Sequence, residues 1–107
     1  MKNENTEILK KKINLLKQNI CWTDTVLFTD SRNISFYDYY LQKEAIEKLD
    51  VEDQLIILGN FYFKMSKMKL AELTMIPSFR ALDTKIFSAK QKVKENIREL
   101  SNVRRLD

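Results

Sequence analysis

Histidine is absent from the 107 residues, and cysteine, glycine and proline occur once each, as Cys21, Gly59 and Pro77. The lack of histidine excludes zinc sites of the Cys/His kind and removes the commonest general base, and a lone cysteine excludes an internal disulfide. One glycine and one proline are too few to turn the chain repeatedly in a β-rich fold, so long helices are expected. No glycine-rich phosphate loop is present, and carboxylate pairs such as Glu52/Asp53 and Asp24/Asp30 read as helix starts and loops. The expectation is a protein that is not an enzyme and uses neither cofactor nor metal. The longest apolar run, Leu55 to Leu58, is too short to cross a bilayer. The opening Met-Lys-Asn-Glu-Asn-Thr-Glu lacks the apolar stretch of a secretory signal. A soluble, cytoplasmic chain with no membrane partner is therefore expected.

What is present is a 44% hydrophobic composition, sufficient for a core, and an uneven charge. The net charge is +4, but residues 33–63 carry two basic and six acidic side chains while residues 64–107 carry eleven basic and five acidic. A basic last third beside an acidic middle suits a face aimed at a polyanion; a solvated lysine-rich surface is the plainer alternative. Charge alone leaves both open.

Periodicity divides the chain into helices. Thr6 can cap a first helix over about 7–20, where Leu9, Ile13, Leu16 and Ile20 are spaced 4, 3, 4. This short seam either docks on its own domain, the favoured reading, or pairs in a homodimer through residues 7–20. A polar break follows, with Trp22 and the island Val26-Leu27-Phe28 expected to fold back as core. Ser35 opens a helix near 36–48, with Tyr37, Leu41 and Ala45 on one face and Phe36 and Tyr40 beside it. Asp50 caps a helix over about 51–63 that presents Leu55, Leu58 and Tyr62. Ser66 caps a short helix over about 67–74 with Leu70, Ala71 and Leu73 inward. After a Met75-Ile76-Pro77 turn, Ser78 caps a last helix near 79–100 built on Leu82, Ile86, Ala89, Val93, Ile97 and Leu100. The expected fold is an all-α bundle with a C-terminal helix-turn-helix in residues 34–107 and an N-terminal helical extension in residues 1–33.

Residues 49–75 lie without a gap over the pattern Leu-Pro-Glu-Glu-Asp-Arg-Glu-Val-Leu-Leu-Leu-Arg-Tyr-Phe-Glu-Gly-Leu-Ser-Tyr-Glu-Glu-Ile-Ala-Glu-Ile-Leu-Gly. Leu49, Glu52, Asp53, Ile56, Ile57, Leu58, Phe61, Tyr62, Ser66, Leu70, Ala71, Glu72 and Leu73 fill matching slots. Ser78, Leu82, Ile86, Ala89 and Val93 continue it over Ser-x-x-Thr-Val-x-x-x-Leu-x-x-Ala-x-x-x-Leu. On these residues, about half the chain, the sequence resembles the promoter-recognising fourth region of sigma-70 factors. Gln54 and Asn60 depart from a common Arg, and Gly59 from an apolar residue. Lys64 and Met75 stand where the pattern has Gly, and the turn runs one residue longer, through Pro77. No part of the chain is left for the promoter-melting second region, so the resemblance implies a small regulator rather than a complete sigma factor. In build it is similar to phage late-transcription regulators of the ArpU and RinA type.

The resemblance implies a double-stranded DNA partner and a possible contact with RNA polymerase. Ala71 would be small because the motif's two helices cross closely there. Ser78 would cap the recognition helix, and Phe79, Arg80, Asp83 and Thr84 would read bases: Arg80 by two hydrogen bonds to a guanine edge, Thr84 by touching a thymine methyl. Lys67, Lys69, Lys85, Lys90, Lys92 and Lys94 would reach phosphates, which set position but not sequence. Each has a plainer reading: Arg80 on phosphate only, Phe79 buried, Asp83 paired with Lys85 or Lys90. The competing function is a helical interaction protein that binds RNA polymerase or another host protein through the acidic stretch Glu44 to Asp53 and the row Phe61-Tyr62-Phe63.

Overall fold

The computed structural model describes residues 2–22 and 36–105, with side chains described for 7–22 and 38–101. In chain order the helices are α1 (Lys2–Lys17), α2 (Phe36–Glu47), α3 (Val51–Ile57), α4 (Lys67–Thr74) and α5 (Phe79–Arg105). A π-helical segment, Leu58–Tyr62, prolongs α3. No strand occurs among the described residues, so the all-α expectation holds. Among them, too, no helix is long and apolar enough to cross a membrane. At 27 residues α5 is about 40 Å long by the 1.5 Å rise of a helix, and the molecule measures 42 × 25 × 24 Å. The last helix is thus the spine along which the rest is laid.

The centre is α3. It touches α1, α2, α4 and α5, and Leu55, Ile56, Ile57 and Leu58 are all fully buried. A run of four apolar residues points to every side of a helix and is stable only when neighbours enclose it, and this run is enclosed. Ala45, Ile46 and Leu49 come to it from α2 and the bend after it, Ala89 and Val93 from α5, and Ile13 from α1. Polar tethers fix the order: Asn96 Nδ2 donates to the Ala45 carbonyl at 3.0 Å, and Gln54 Nε2 to the Leu49 carbonyl at 2.9 Å.

Several expectations about boundaries need correction. α1 begins at Lys2, so Thr6 lies inside the helix rather than capping it. It ends at Lys17 rather than near 20, where Asn19 Nδ2 turns back to the Leu15 carbonyl at 3.2 Å. Its seam is used within the chain: Ile13 is buried, and Leu9, Leu16 and Ile20 are partly so. Asp50 stands at the N-terminus of α3, but its side chain makes no capping hydrogen bond. The helix expected over 51–63 is α-helical only to Ile57. Trp22 packs on the core as expected, whereas Val26-Leu27-Phe28 and the Ser35 cap lie outside the described residues.

Gly59 marks a close approach of the π-helical segment to α4 that the sequence reading did not foresee. A β-carbon on Gly59 would sit 2.7 Å from Leu70 Cδ1 and 3.2 Å from Met65 Sδ, and Leu70 is fully buried. Ala71 is only half-buried. Among the described residues two hold the left-handed backbone that side chains disfavour, Lys64 at φ 52° and Met75 at φ 61°. Two stability measurements follow. Gly59→Ala should destabilise by about 1–2 kcal/mol, because overpacking against Leu70 outweighs the helix propensity gained; an unchanged urea midpoint would show that α4 can shift away. Met75→Gly should stabilise by about 0.5–1 kcal/mol by relieving the left-handed strain of an exposed side chain, and a lower melting temperature would contradict it.

Candidate nucleic-acid interface

The α4–turn–α5 unit is held by local hydrogen bonds that follow from its residue types. Ser66 Oγ accepts the Lys69 N–H at 3.1 Å and caps α4. At the other end the Thr74 hydroxyl, buried, donates to the Leu70 carbonyl at 2.8 Å. The chain then reverses through left-handed Met75, and the N–H groups of Met75 and Ile76 both reach the Ala71 carbonyl. Ser78 Oγ accepts the Ala81 N–H at 3.1 Å and opens α5. Both serine caps are where the sequence reading put them.

This start presents its side chains outward. Phe79 is 50% exposed, and Ser78, Arg80, Asp83 and Thr84 are exposed as well, while Leu82 between them is fully buried. Leu82 therefore anchors the turn whose other sides face solvent. The Thr84 hydroxyl donates to the Arg80 carbonyl at 3.1 Å, leaving its methyl and oxygen lone pairs for an outside contact. Asp83 is paired, but with Lys67 at 2.9 Å rather than with Lys85 or Lys90. That bridge ties the first turn of α4 to the second turn of α5.

The other lysines divide into engaged and unengaged. Lys85 meets Glu52 at 3.3 Å, Lys92 meets Asp53 at 3.0 Å, and Lys90 lies 5.8 Å over the Phe61 ring. Arg80, Lys69 and Lys94 form no ion pair among the described residues. The Asp53 side chain is 4% exposed, so the Lys92 ammonium answers a charge that water barely reaches; the hydrogen bond from it, then the attraction, raises the Lys92 pKa. With Lys17 on Glu47 at 3.3 Å, much of the acidic middle third faces this chain's own lysines. Less of the basic charge counted from composition is therefore without an internal partner.

The middle of the aromatic row is also engaged inside. Tyr62 accepts a hydrogen bond from Gln42 Nε2 at 2.7 Å, and its ring meets Trp22 edge-on at 5.4 Å. Gln42, unforeseen as a core residue, is 1% exposed. The residue that sequence reasoning passed over is Phe87, 66% exposed on α5. It falls off the stripe Leu82, Ile86, Ala89, Val93 that packs inward, and that break in the pattern was the available signal. Comparison with protein-family models, with curated proteins and with solved structures finds no match to this chain.

Burial pushes the Tyr62 phenol up from 10.0 to about 12, against a smaller lowering by the Gln42 hydrogen bond. In the unfolded chain the phenol ionises first as pH rises, so this contribution to stability is complete below pH 10 and is lost as pH climbs toward 12. Urea midpoints taken across that window should fall more steeply for the unaltered protein than for Tyr62→Phe. Parallel curves would mean that Tyr62 ionises as freely folded as unfolded.

Proposed function

We propose that this chain is a sequence-specific DNA-binding transcription regulator of the sigma region 4 kind, docking the start of α5 in a major groove. The observation that carries the reading is the capped, outward-facing first turns of α5: Phe79, Arg80, Asp83 and Thr84 are exposed around a buried Leu82. A guanidinium, a carboxylate, and a hydroxyl beside a methyl group at this spacing supply the donors, acceptors and apolar surface that base edges require. Further support comes from the backbone. Lys64 and Met75, which replace the two glycines of the sigma pattern, are the two non-glycine residues with positive φ among the described residues. Glycine is the residue that occupies such a conformation at no steric cost, so the alignment and the dihedral angles agree at both positions. Lys69 and Lys94 can meet phosphate without first breaking an ion pair.

A second reading, a helical interaction protein that binds RNA polymerase or another host protein, is favoured by one feature. Ile8, Leu9, Leu73 and Met75 line a groove of about 380 Å3, with Ile8 51% and Met75 78% exposed. Of the acidic stretch and aromatic row that first suggested it, Glu47, Glu52, Asp53 and Tyr62 have partners within the fold.

Selection of binding sites from random duplexes, followed by a salt titration, separates the readings. On the order of three to five phosphate contacts should give a log–log salt slope of about −3 to −4.5. Arg80→Ala should weaken the selected site by about 1–3 kcal/mol and relax the preference at one base pair. Failure to select any sequence, or affinity indifferent to salt, would transfer the case to the partner-binding reading.

A further inference from the structure

We propose that Phe87 is a specificity-determining residue that reads a thymine methyl group in the major groove, extending the base-reading surface two turns past Arg80. The inference rests on the DNA-binding reading above and names part of the sequence that site would select.

Three observations lead to it. First, Phe87 has no place in the core: its ring is 66% exposed, while the inward residues on either side of it, Leu82, Ala89 and Val93, are fully buried. Neither a ring contact nor a cation over the ring engages it among the described residues; the nearby Lys90 lies over Phe61 instead. Second, its register is that of the base-reading set. Arg80, Asp83, Thr84 and Phe87 stand at i, i+3, i+4 and i+7, all exposed, and this is the spacing by which a helix lying in a major groove addresses successive base edges. Seven residues bring a helix back to nearly the same azimuth about 10.5 Å further on, roughly three base-pair steps at about 3.4 Å each. Third, the chemistry is selective. A phenyl ring has neither donor nor acceptor, so among the groups displayed in the major groove it favours the one apolar group, the C5 methyl of thymine. Lys94, exposed and seven residues beyond Phe87, carries no ion pair among the described residues and would meet phosphate beyond the groove edge.

The full-length chain should first be used to select its site from random duplexes. Deoxyuridine then replaces thymidine at one position at a time, which removes the methyl and leaves base pairing intact. At one position, about three base pairs from the one that depends on Arg80, the exchange should weaken binding roughly fourfold, the value of one buried methyl. Phe87→Ala should bind the thymine duplex correspondingly less well and be indifferent to the exchange, whereas Phe87→Leu should retain part of the methyl preference. Because the ring is exposed, the helical circular dichroism and melting temperature of Phe87→Ala should match those of the unaltered protein. If a site is selected and the exchange affects Phe87→Ala as much as the unaltered chain, or affects neither at any position, the role assigned to Phe87 is wrong while DNA recognition stands. If no site is selected, the underlying DNA-binding reading fails and this inference falls with it.

Discussion

The enclosure of α3 is the constraint from which the rest of the architecture follows. Four consecutive side chains, Leu55 to Leu58, have no exposure, and at about 1.5–3 kcal/mol for each fully buried large aliphatic residue they contribute on the order of 6–12 kcal/mol before entropy is charged against them. A helix in such a position needs cover on every side. α2 and α5 supply two sides, α4 a third, and α1 the last through Ile13. The length of α5 serves this directly: its Ala89 and Val93 face α3's core while its first turns extend to the α4 junction. Holding the middle of α5 rigid is also what fixes the direction in which Arg80 and Phe87 point.

The π-helical segment reflects the same pressure. Gly59 lies within it, against Leu70 and Met65, with no room for a β-carbon. The wide turn puts one more residue into the helix between the buried Leu58 and the Tyr62 ring that meets Trp22. Phe63 N–H closes on the Leu58 carbonyl and Met65 N–H on the Gly59 carbonyl, after which left-handed Lys64 ends the run. Close packing here decides where α4 begins.

Periodicity made the helices legible, and residue type made the serine caps legible: α4 and the starts of α2 and α5 fall where the pattern sets them. Properties that depend on partners far along the chain were hidden. Thr6 and Asp50 are competent caps by type, yet α1 runs through one and α3 makes no side-chain bond to the other. Gln42 is buried beside Tyr62, 20 positions later, whose hydroxyl accepts a hydrogen bond from its amide. The tight contact of Gly59 with Leu70 was hidden as well, since the two residues lie on different helices. For the candidate site, the sequence identified the exposed residues at the head of α5. It did not reveal which lysines were already spoken for, since Glu52, Asp53 and Asp83 become neighbours only through the fold.

Those ion pairs differ in what a competing anion could do to them. Lys67–Asp83 and Lys85–Glu52 join side chains that are all at least 37% exposed, and pairs of that kind contribute about 0–1 kcal/mol. A phosphate could draw either lysine away at little cost, so on the proposed reading they form a reserve beside the unpaired Lys69 and Lys94. Lys92 is different. Its departure would leave the Asp53 carboxylate, 4% exposed on its side chain, without a counter-charge beside the buried core, and an uncompensated buried charge is strongly unfavourable. Lys92 therefore belongs to the fold, although nothing in its spacing along α5 separates it from Lys85 or Lys90. Burial of the partner, rather than exposure of the lysine, decides which basic side chains on this helix are available to a ligand.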